Sequence, residues 1–227
     1  MIGKNPEITV VMRSHNSEKY VDKAIKSALN QTLSDKLYEV LVIDDGSKDK
    51  TREILSKYKE KIRIIEKDNI GQIPGLNYGV KNALGKYIIL LDADDTFEPN
   101  ALKEMYTPFT KNKNIDFVYS DYFEYFEYNE EKKLVSLKNN IFNSVAGGIL
   151  FKKVIFEKVG FYDESLIFPE YDLLIKVMEN HLGKYISKPL FTYVRHQKAV
   201  TANQKTVEKG LKQIFEKYGK NLPIRKY

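Results

Sequence analysis

The first hundred residues alternate short apolar runs with segments of helical periodicity, and this alternation constrains the fold more than any other feature. Four runs rich in β-branched residues predict strands at 8–12, 39–43, 62–65 and 87–91. The segments between them predict helices at 18–30, 49–59 and 74–84, with Tyr20 in the buried stripe of the first. Such alternation is typical of an α/β fold, in which helices flank a mostly parallel central sheet.

Beyond residue 98 the pattern becomes mixed. Pro99 suits the first position of a helix, and residues 115–138 read as two extended segments that turn at Asn129 and Glu130. Aromatic side chains crowd 117–128; such residues are first of all strand formers with one buried face, although they also stack on sugar rings. The later elements are predicted as a strand at 147–151, a helix at 170–181, a strand at 190–195 and an amphipathic tail helix.

The chain has no linker, internal repeat or low-complexity tract, so we expect one domain over 1–227. Its first part, about 1–98, is the parallel half, and about 99–202 forms a second half with a smaller antiparallel portion. Residues 203–227 contain the tail helix, which has one apolar stripe and is basic elsewhere. That stripe either docks on the domain or lies on an anionic membrane surface.

The composition excludes several kinds of chemistry. With no cysteine and only three histidines, the chain has no disulfide, thiolate zinc site, iron–sulfur cluster or cysteine nucleophile. The formal net charge of +6 is diffuse, which favours small anionic partners and does not indicate nucleic acid. No apolar run approaches the roughly 18 residues of a membrane span, and no signal region follows Met1. We therefore expect a cytoplasmic protein, with peripheral contact at the inner face of the membrane as the one addition.

Polar clusters stand where three predicted strands end, at 13–16, 44–47 and 92–95. Singly, each cluster also fits ordinary turn and capping residues. In an open parallel sheet, however, ligands bind at the carboxyl ends of strands, near the point where strand order reverses. The crowded carboxylates of Asp92, Asp94 and Asp95 resist ionisation unless a cation neutralises them. Because oxygen ligands favour hard divalent ions, the last cluster predicts a metal site with positions left for phosphate oxygens.

Several stretches of the chain carry a pattern when they are taken together, namely 10–16, 24–32, 39–51, 69–71 and 84–95, with later pieces at 147–148, 169–174 and 193–201. In order and spacing they resemble the signature of family 2 glycosyltransferases, over about residues 8–202. The resemblance implies the GT-A fold, a Rossmann-like sheet with a smaller antiparallel portion on the acceptor side. It also implies a metal-dependent, inverting enzyme that moves a sugar from a nucleotide-diphosphate sugar to a hydroxyl acceptor.

We expect the donor to be UDP-linked and the acceptor to be a saccharide or lipid-linked saccharide, in cell-surface polysaccharide or glycolipid assembly. The family's processive synthases carry a Gln-x-x-Arg-Trp motif, and this chain has no tryptophan. Transfer of a single sugar is therefore the expectation.

The resemblance also implies roles for individual residues. Those expected to bind the nucleotide sugar are Arg13, Ser14, Asn16, Asp45, Gly71, Asn77, Asp92 and Ala93, with Asp45 accepting a hydrogen bond from the base. Those expected to hold Mn²⁺ or Mg²⁺ are Asp92, Asp94 and Asp95; apart from the resemblance, His196 is expected to supply either a further metal ligand or a phosphate contact. Glu170 is expected to be the general base and Asp172 is the second choice, because direct displacement needs one carboxylate to take the acceptor's proton.

Three of these residues also suit an ordinary structural role. Arg13 also suits a salt bridge, Glu170 suits the first turn of a helix, where a negative charge complements the dipole, and a lone histidine such as His196 is often a surface residue. Two other protein classes share part of the pattern. A phospho-receiver domain requires a phosphoacceptor aspartate after 62–65, and a nicotinamide dehydrogenase requires G-x-G-x-x-G after the first strand; the chain has neither. A transferase fold that binds without turnover stays open.

Overall fold

Four parallel strands and three helices make up the first half of the computed structural model, which describes residues 5–145, 147–197, 199–219 and 222–225. The strands are β1 (Ile8–Ser14), β2 (Tyr38–Asp45), β3 (Arg63–Lys67) and β4 (Tyr87–Leu90). The helices between them are α1 (Val21–Leu29), α2 (Thr51–Ser56) and α3 (Gln72–Asn82). Every residue of β2 and β4 is buried, as expected for central strands covered by helices on both faces.

The order of these strands creates the position of a binding site. They run β3-β2-β1-β4, all parallel, so the chain moves outward from β1 to β3 and then returns to place β4 on the other side of β1. The strand order therefore reverses between β1 and β4. The carboxyl ends of these two strands border the crevice in which open α/β sheets bind their ligands.

The second half extends the same sheet with mostly antiparallel pairs, which confirms the predicted α/β fold with an antiparallel portion. Its strands are β5 (Thr96–Phe97), β6 (Phe117–Phe126), β7 (Glu131–Val135), β8 (Ile149–Lys152) and β9 (Gly183–Arg195). β8 pairs antiparallel with both β4 and β6, and β9 pairs parallel with β6. The helices are α4 (Ala101–Lys111), α5 (Lys153–Val159), α6 (Pro169–Asn180) and α7 (Gln204–Tyr218).

Three local predictions are wrong. Pro99 lies before helix α4, which begins at Ala101, and its carbonyl accepts a hydrogen bond from the Thr32 N–H at 2.7 Å. Helix α5 was not predicted. Tyr20 stands just before α1, only partly buried, and does not belong to that helix's buried stripe. In the aromatic run 117–128, Phe117 and Tyr122 are in the core, as preferred, but Tyr128 is 70% exposed.

Helix α7 docks on the domain. Its Val207 and Ile214 are buried in a small apolar cluster with Leu166, Phe168 and Tyr171, which belong to α6 and the loop before it. The apolar stripe of the tail helix is therefore covered by protein, which is the first of the two predicted arrangements. Within the described ranges, no helix combines the length and apolar character that crossing a bilayer requires.

Candidate active site

A cleft of about 370 Å³ opens at the carboxyl ends of β1 and β4. The end of β1 contributes Arg13 to its wall, the loop after that strand contributes Asn16, and the loop after β4 contributes Asp92, Ala93 and Asp94. Segments distant in sequence complete the wall, with the start of α3, residues 167–170 at the start of α6, and the chain after β9 around 196–201. The cleft therefore collects side chains from both halves of the chain at the point where the strand order reverses.

Asp92 and Asp94 line the floor of this cleft, and Asp95 is buried beside them. Asp92, Asp94 and Asp95 each offer an oxygen, and these oxygens all lie within 4.8 Å of one another. Asp95 Oδ1 accepts from the Val194 N–H at 2.8 Å, while its Oδ2 is buried with no hydrogen-bond partner in the described part of the chain. Burial, and then the charge of Asp94, raises the pKa of Asp92 to about 7; the same two causes raise the pKa of Asp95 well above its ordinary value. An orphaned, buried oxygen among crowded carboxylates is the donor set that a hard divalent cation fits.

His196 lies beside this cluster and away from solvent. Its Nε2 is 2.8 Å from Asp94 Oδ2, and its side chain is only 8% exposed. The ring stacks on Tyr20, with the two centroids 4.8 Å apart. The surface alternative for His196 is therefore wrong, and its position is compatible with a fourth ligand from the segment that follows β9.

Arg13 and Asp45, at the carboxyl ends of β1 and β2, form a partly buried ion pair at the edge of the cleft. Arg13 Nη2 lies 2.6 Å and Nε 3.2 Å from Asp45 Oδ2. The Asp45 carboxylate is fully buried and also accepts from the backbone N–H groups of Ile70 and Gly71, at 2.6 and 3.1 Å. Burial opposes ionisation of Asp45, but Arg13 and the Ile70 N–H outweigh it and hold its pKa below the usual value. The salt-bridge interpretation of Arg13 is confirmed, and because Arg13 also lines the cleft, its role in binding the donor stays a prediction.

Loops after β1 and β2 hold each other through short polar contacts. The Asn16 N–H donates to Ser47 Oγ at 3.0 Å, and Asn16 Oδ1 accepts from the Lys48 N–H at 2.8 Å. Gly46 has φ +75°, and a Cβ there would lie 2.8 Å from the Asn69 nitrogen. Only glycine accepts both that backbone angle and that approach. These contacts fix the rim of the cleft beside Arg13.

Glu170 faces the cleft from the start of helix α6, directly after Pro169 at the first helical position. Burial raises its pKa to about 8; its own backbone N–H partly offsets this effect, and the charge of Asp92 adds to it. A raised pKa makes the ionised carboxylate a stronger base, which is the property that a proton acceptor needs. Glu170 is in the first turn of a helix, as its structural alternative requires, but it also interacts electrostatically with Asp92 of the acidic cluster.

Asp172 is not available as an alternative base, and this corrects the second choice. Its side chain is fully buried outside the cleft, where Oδ2 pairs with Lys176 at 2.7 Å and Oδ1 with Lys217 at 2.7 Å. Two residues along an α-helix are separated by about 200° around its axis. Because Glu170 points into the cleft, Asp172 points away from it.

Four predicted donor-binding residues do not line the cleft, namely Asp45, described above, and Ser14, Gly71 and Asn77. Ser14 is buried at the end of β1, and Gly71 has φ +104° and donates its N–H to Asp45. The Asn77 amide donates to the Tyr162 carbonyl and accepts from the Tyr162 N–H, at 2.9 and 3.0 Å, so it ties α3 to the second half. Conversely, cleft residues that the sequence did not single out include Tyr20, Gln72, Phe168 and Thr201. Of these four, only Tyr20 could have been predicted from the sequence, because it closely follows the polar loop after β1.

Residues 9–163 match the family model described as glycosyl transferase family 2. The chain belongs to glycosyltransferase family 2. An uncharacterized glycosyltransferase of Rickettsia typhi is 34% identical over 190 residues, which cover 77% of this chain and 59% of the relative. This chain thus spans about three fifths of the length of that relative.

Solved structures of glycosyltransferases share the fold. Residues 1–349 of Staphylococcus aureus TarS in complex with UDP-GlcNAc superpose with a TM-score of 0.75 at 17% identity, over 96% of this chain and 68% of that TarS chain. A mannosyltransferase of Pyrobaculum calidifontis in complex with GDP-Man and Mn²⁺ gives 0.75 at 14% identity, over 94% and 64%. The predicted GT-A fold is confirmed by these neighbours and by the strand order of this chain.

Proposed function

We propose that this chain transfers a single sugar from a nucleotide-diphosphate sugar to a hydroxyl acceptor, with inversion at the anomeric carbon. The observation that carries the proposal is the meeting, in one cleft, of the Asp92, Asp94 and Asp95 cluster with a separate carboxylate, Glu170. Membership of the family supports the reaction class. The first half, about 1–98, then binds the donor, and about 99–202 supplies the base and receives the acceptor.

Asp92, Asp94 and Asp95 would hold Mn²⁺ or Mg²⁺, with His196 completing the set. When bound, such an ion neutralises the negative charge that develops on the departing diphosphate. The protein's own contribution is to keep three carboxylates together at the end of a buried strand. It does so by anchoring Asp95 to the backbone of β9 and Asp94 to His196.

Glu170 would take the proton of the acceptor hydroxyl as that oxygen attacks the anomeric carbon. One base suffices for a direct displacement, and no covalent sugar–enzyme intermediate is required. The location of Glu170 supports this role, because it shares the cleft with the acidic cluster and comes from a different wall. Inversion follows from a single displacement.

Arg13, Asn16, Asp45, Gly71 and Ala93 would shape the donor site, Arg13 and Asn16 from the wall and Asp45 and Gly71 from behind it. Arg13 pairs with Asp45 and lines the same cleft as Asp92, and its charge offsets a small part of the rise in the pKa of Asp92. A guanidinium in that place suits the phosphates of the donor. The donor is proposed to be UDP-linked, and TarS, which has this fold, was crystallised with UDP and with UDP-GlcNAc. A saccharide or lipid-linked saccharide is the proposed acceptor.

The test compares Glu170→Gln with Glu179→Gln, an exposed glutamate at the far end of the same helix. Sugar transfer and release of the nucleoside diphosphate are followed with a panel of UDP- and GDP-sugars and saccharide acceptors. We expect Glu170→Gln to bind donor as the wild type does and to lose transfer by about 10²- to 10⁴-fold. Glu179→Gln should keep full activity. Undiminished transfer by Glu170→Gln would refute the assignment, and donor binding without turnover by the wild type would favour a binding protein.

A further inference from the structure

We infer that helix α7 positions the general base, because Gln213 and Lys217 fasten the segment that carries Glu170. The inference deepens the proposed function and rests on it, since it takes Glu170 as the base. The contacts of Gln213, Lys217 and Tyr218 with residues 163–172 are called the α7 brace below. Its residues from 164 onward lie beyond 9–163, the part of the chain that matches the family model.

Lys217 connects two points on either side of Glu170. Its Nζ lies 2.8 Å from Asp163 Oδ2 and 2.7 Å from Asp172 Oδ1. Asp163 precedes the loop that leads into α6, and Asp172 is in the first turn of that helix. Tyr218 also donates its hydroxyl to Asp172 Oδ1. One side chain of α7 thus ties together the beginning and the end of the segment that presents the base.

Gln213 holds the same segment by its backbone. Its Oε1 accepts from the Ile167 N–H at 3.0 Å, and its Nε2 donates to the Ser165 carbonyl at 3.0 Å. Paired contacts of one amide with a donor and an acceptor two residues apart fix the path of a loop. Ile167 lies three residues before Glu170, and both line the cleft.

Packing adds a third restraint. Gly210 of α7 lies against the Phe168 ring, so closely that a Cβ there would be 2.5 Å from Phe168 Cδ2. Phe168 lines the cleft and directly precedes Pro169, the first residue of α6. The helix therefore sets the position of the ring next to the base as well as the path of the backbone.

Lys217 contributes little to global stability for its number of contacts. Its side chain is 37% exposed, and partly exposed ion pairs contribute little to the stability of a fold. Asp172 keeps Lys176 as a partner when Lys217 is removed, so no buried charge is left unpaired. Catalysis is more sensitive than stability to such a change, because misplacement of a reacting group by about 1 Å can lower the rate about 100-fold. Lys217 therefore qualifies as a positioning residue.

The experiment compares Lys217→Met with Lys212→Met, a control on the same helix. The Lys212 side chain is 75% exposed and pairs only with Glu216 among the described residues. We expect Lys217→Met to lower kcat about 10- to 100-fold with an unchanged donor KM and a nearly unchanged Tm. Lys217→Arg should restore most of kcat, since it keeps the charge between the two carboxylates. Lys212→Met should behave as the wild type. Normal kcat in both Lys217→Met and Gln213→Ala would overturn the inference.

Two further measurements separate positioning from general damage. In the Glu170→Gln background, Lys217→Met should cause no additional loss of transfer, because no base is left to position; a full additional loss would contradict the brace. Hydrogen–deuterium exchange of residues 164–172 in the free protein should accelerate in Lys217→Met and not in Lys212→Met. Unchanged exchange would overturn the inference even if the chain has no transferase activity, whereas inactivity of the wild type alone would overturn only the proposed function.

Discussion

Replacement of Asp45 by asparagine should destabilise the protein strongly, because this carboxylate is the most heavily hydrogen-bonded group near the cleft. It is fully buried and accepts from Arg13 and from two backbone N–H groups. An asparagine keeps one acceptor oxygen and turns an N–H₂ toward groups that are themselves donors. Breaking a buried ion pair costs about 3–5 kcal/mol, and the 17% exposure of Arg13 lets water recover part of that. We expect a loss near the lower end, about 3 kcal/mol, against a total stability of about 5–15 kcal/mol.

The assay is urea unfolding at pH 7 followed by circular dichroism. The midpoint should fall while the m-value stays constant, which indicates a loss of stability without a change in the surface exposed. Asp22→Asn is the matched control, since it breaks an exposed i,i+4 pair with Lys26, keeps an oxygen that accepts from the Tyr58 hydroxyl and should cost well under about 1 kcal/mol. A loss below about 1 kcal/mol for Asp45→Asn would refute the reasoning.

The pH dependence of this stability difference tests the same reasoning. The folded pKa of Asp45 is lower than its unfolded value, so its contribution is fully present above about pH 4 and disappears as the pH falls through the folded pKa. The difference between wild type and Asp45→Asn should therefore shrink in acid. A difference that stays constant from pH 7 to pH 2.5 would show that the charge of Asp45 is not the stabilising element.

Two other perturbations have expected outcomes. Gly148→Ala should destabilise the protein by about 2–4 kcal/mol, because φ is +78° and a Cβ would lie 1.9 Å from Phe191 Cε1. The control Gly160→Ala, with φ +85° and no atom within 4 Å of the added Cβ, should lose only about 1 kcal/mol; equal losses of stability in urea unfolding would contradict the clash with Phe191. Acid should weaken the α7 brace, since burial opposes ionisation of Asp172 but Lys176 and Lys217 hold its pKa low, so that its contribution falls away below about pH 4. A wild-type acid transition no steeper than that of Lys217→Met would contradict this.

The parallel half could be predicted because burial on both faces leaves a strong local signal. Strands such as β2 and β4 are buried throughout and have apolar centres, and their positions differ from the prediction by only one or two residues. The first residues of β9 gave no such signal. They are partly exposed and polar, and they become a strand only by pairing with β6, about 65 residues earlier in the chain. Helix α5 begins directly after β8, without a loop that would mark its start.

The candidate site also contains residues that the sequence could predict and residues that it could not. Residues at strand ends, such as Arg13, Asp92 and Asp94, were predictable because strand order alone brings those ends together. Tyr20 and Phe168 reach the cleft through tertiary packing, which leaves no pattern in one sequence. The choice between Glu170 and Asp172 could have been narrowed by helix geometry, since residues two apart face opposite sides. Which one faces the cleft depends on α7, whose docking no local pattern specifies.

The measurement that tests the central claim most directly is titration calorimetry of UDP into the protein, with Mn²⁺ or with EDTA. The account predicts that Mn²⁺ strengthens binding and that Asp94→Asn removes this metal-dependent part. Asp68→Asn, which alters an exposed carboxylate outside the cleft, should leave the metal effect intact. Equal UDP affinity in Mn²⁺ and in EDTA for the wild type, or a full metal effect in Asp94→Asn, would contradict the account.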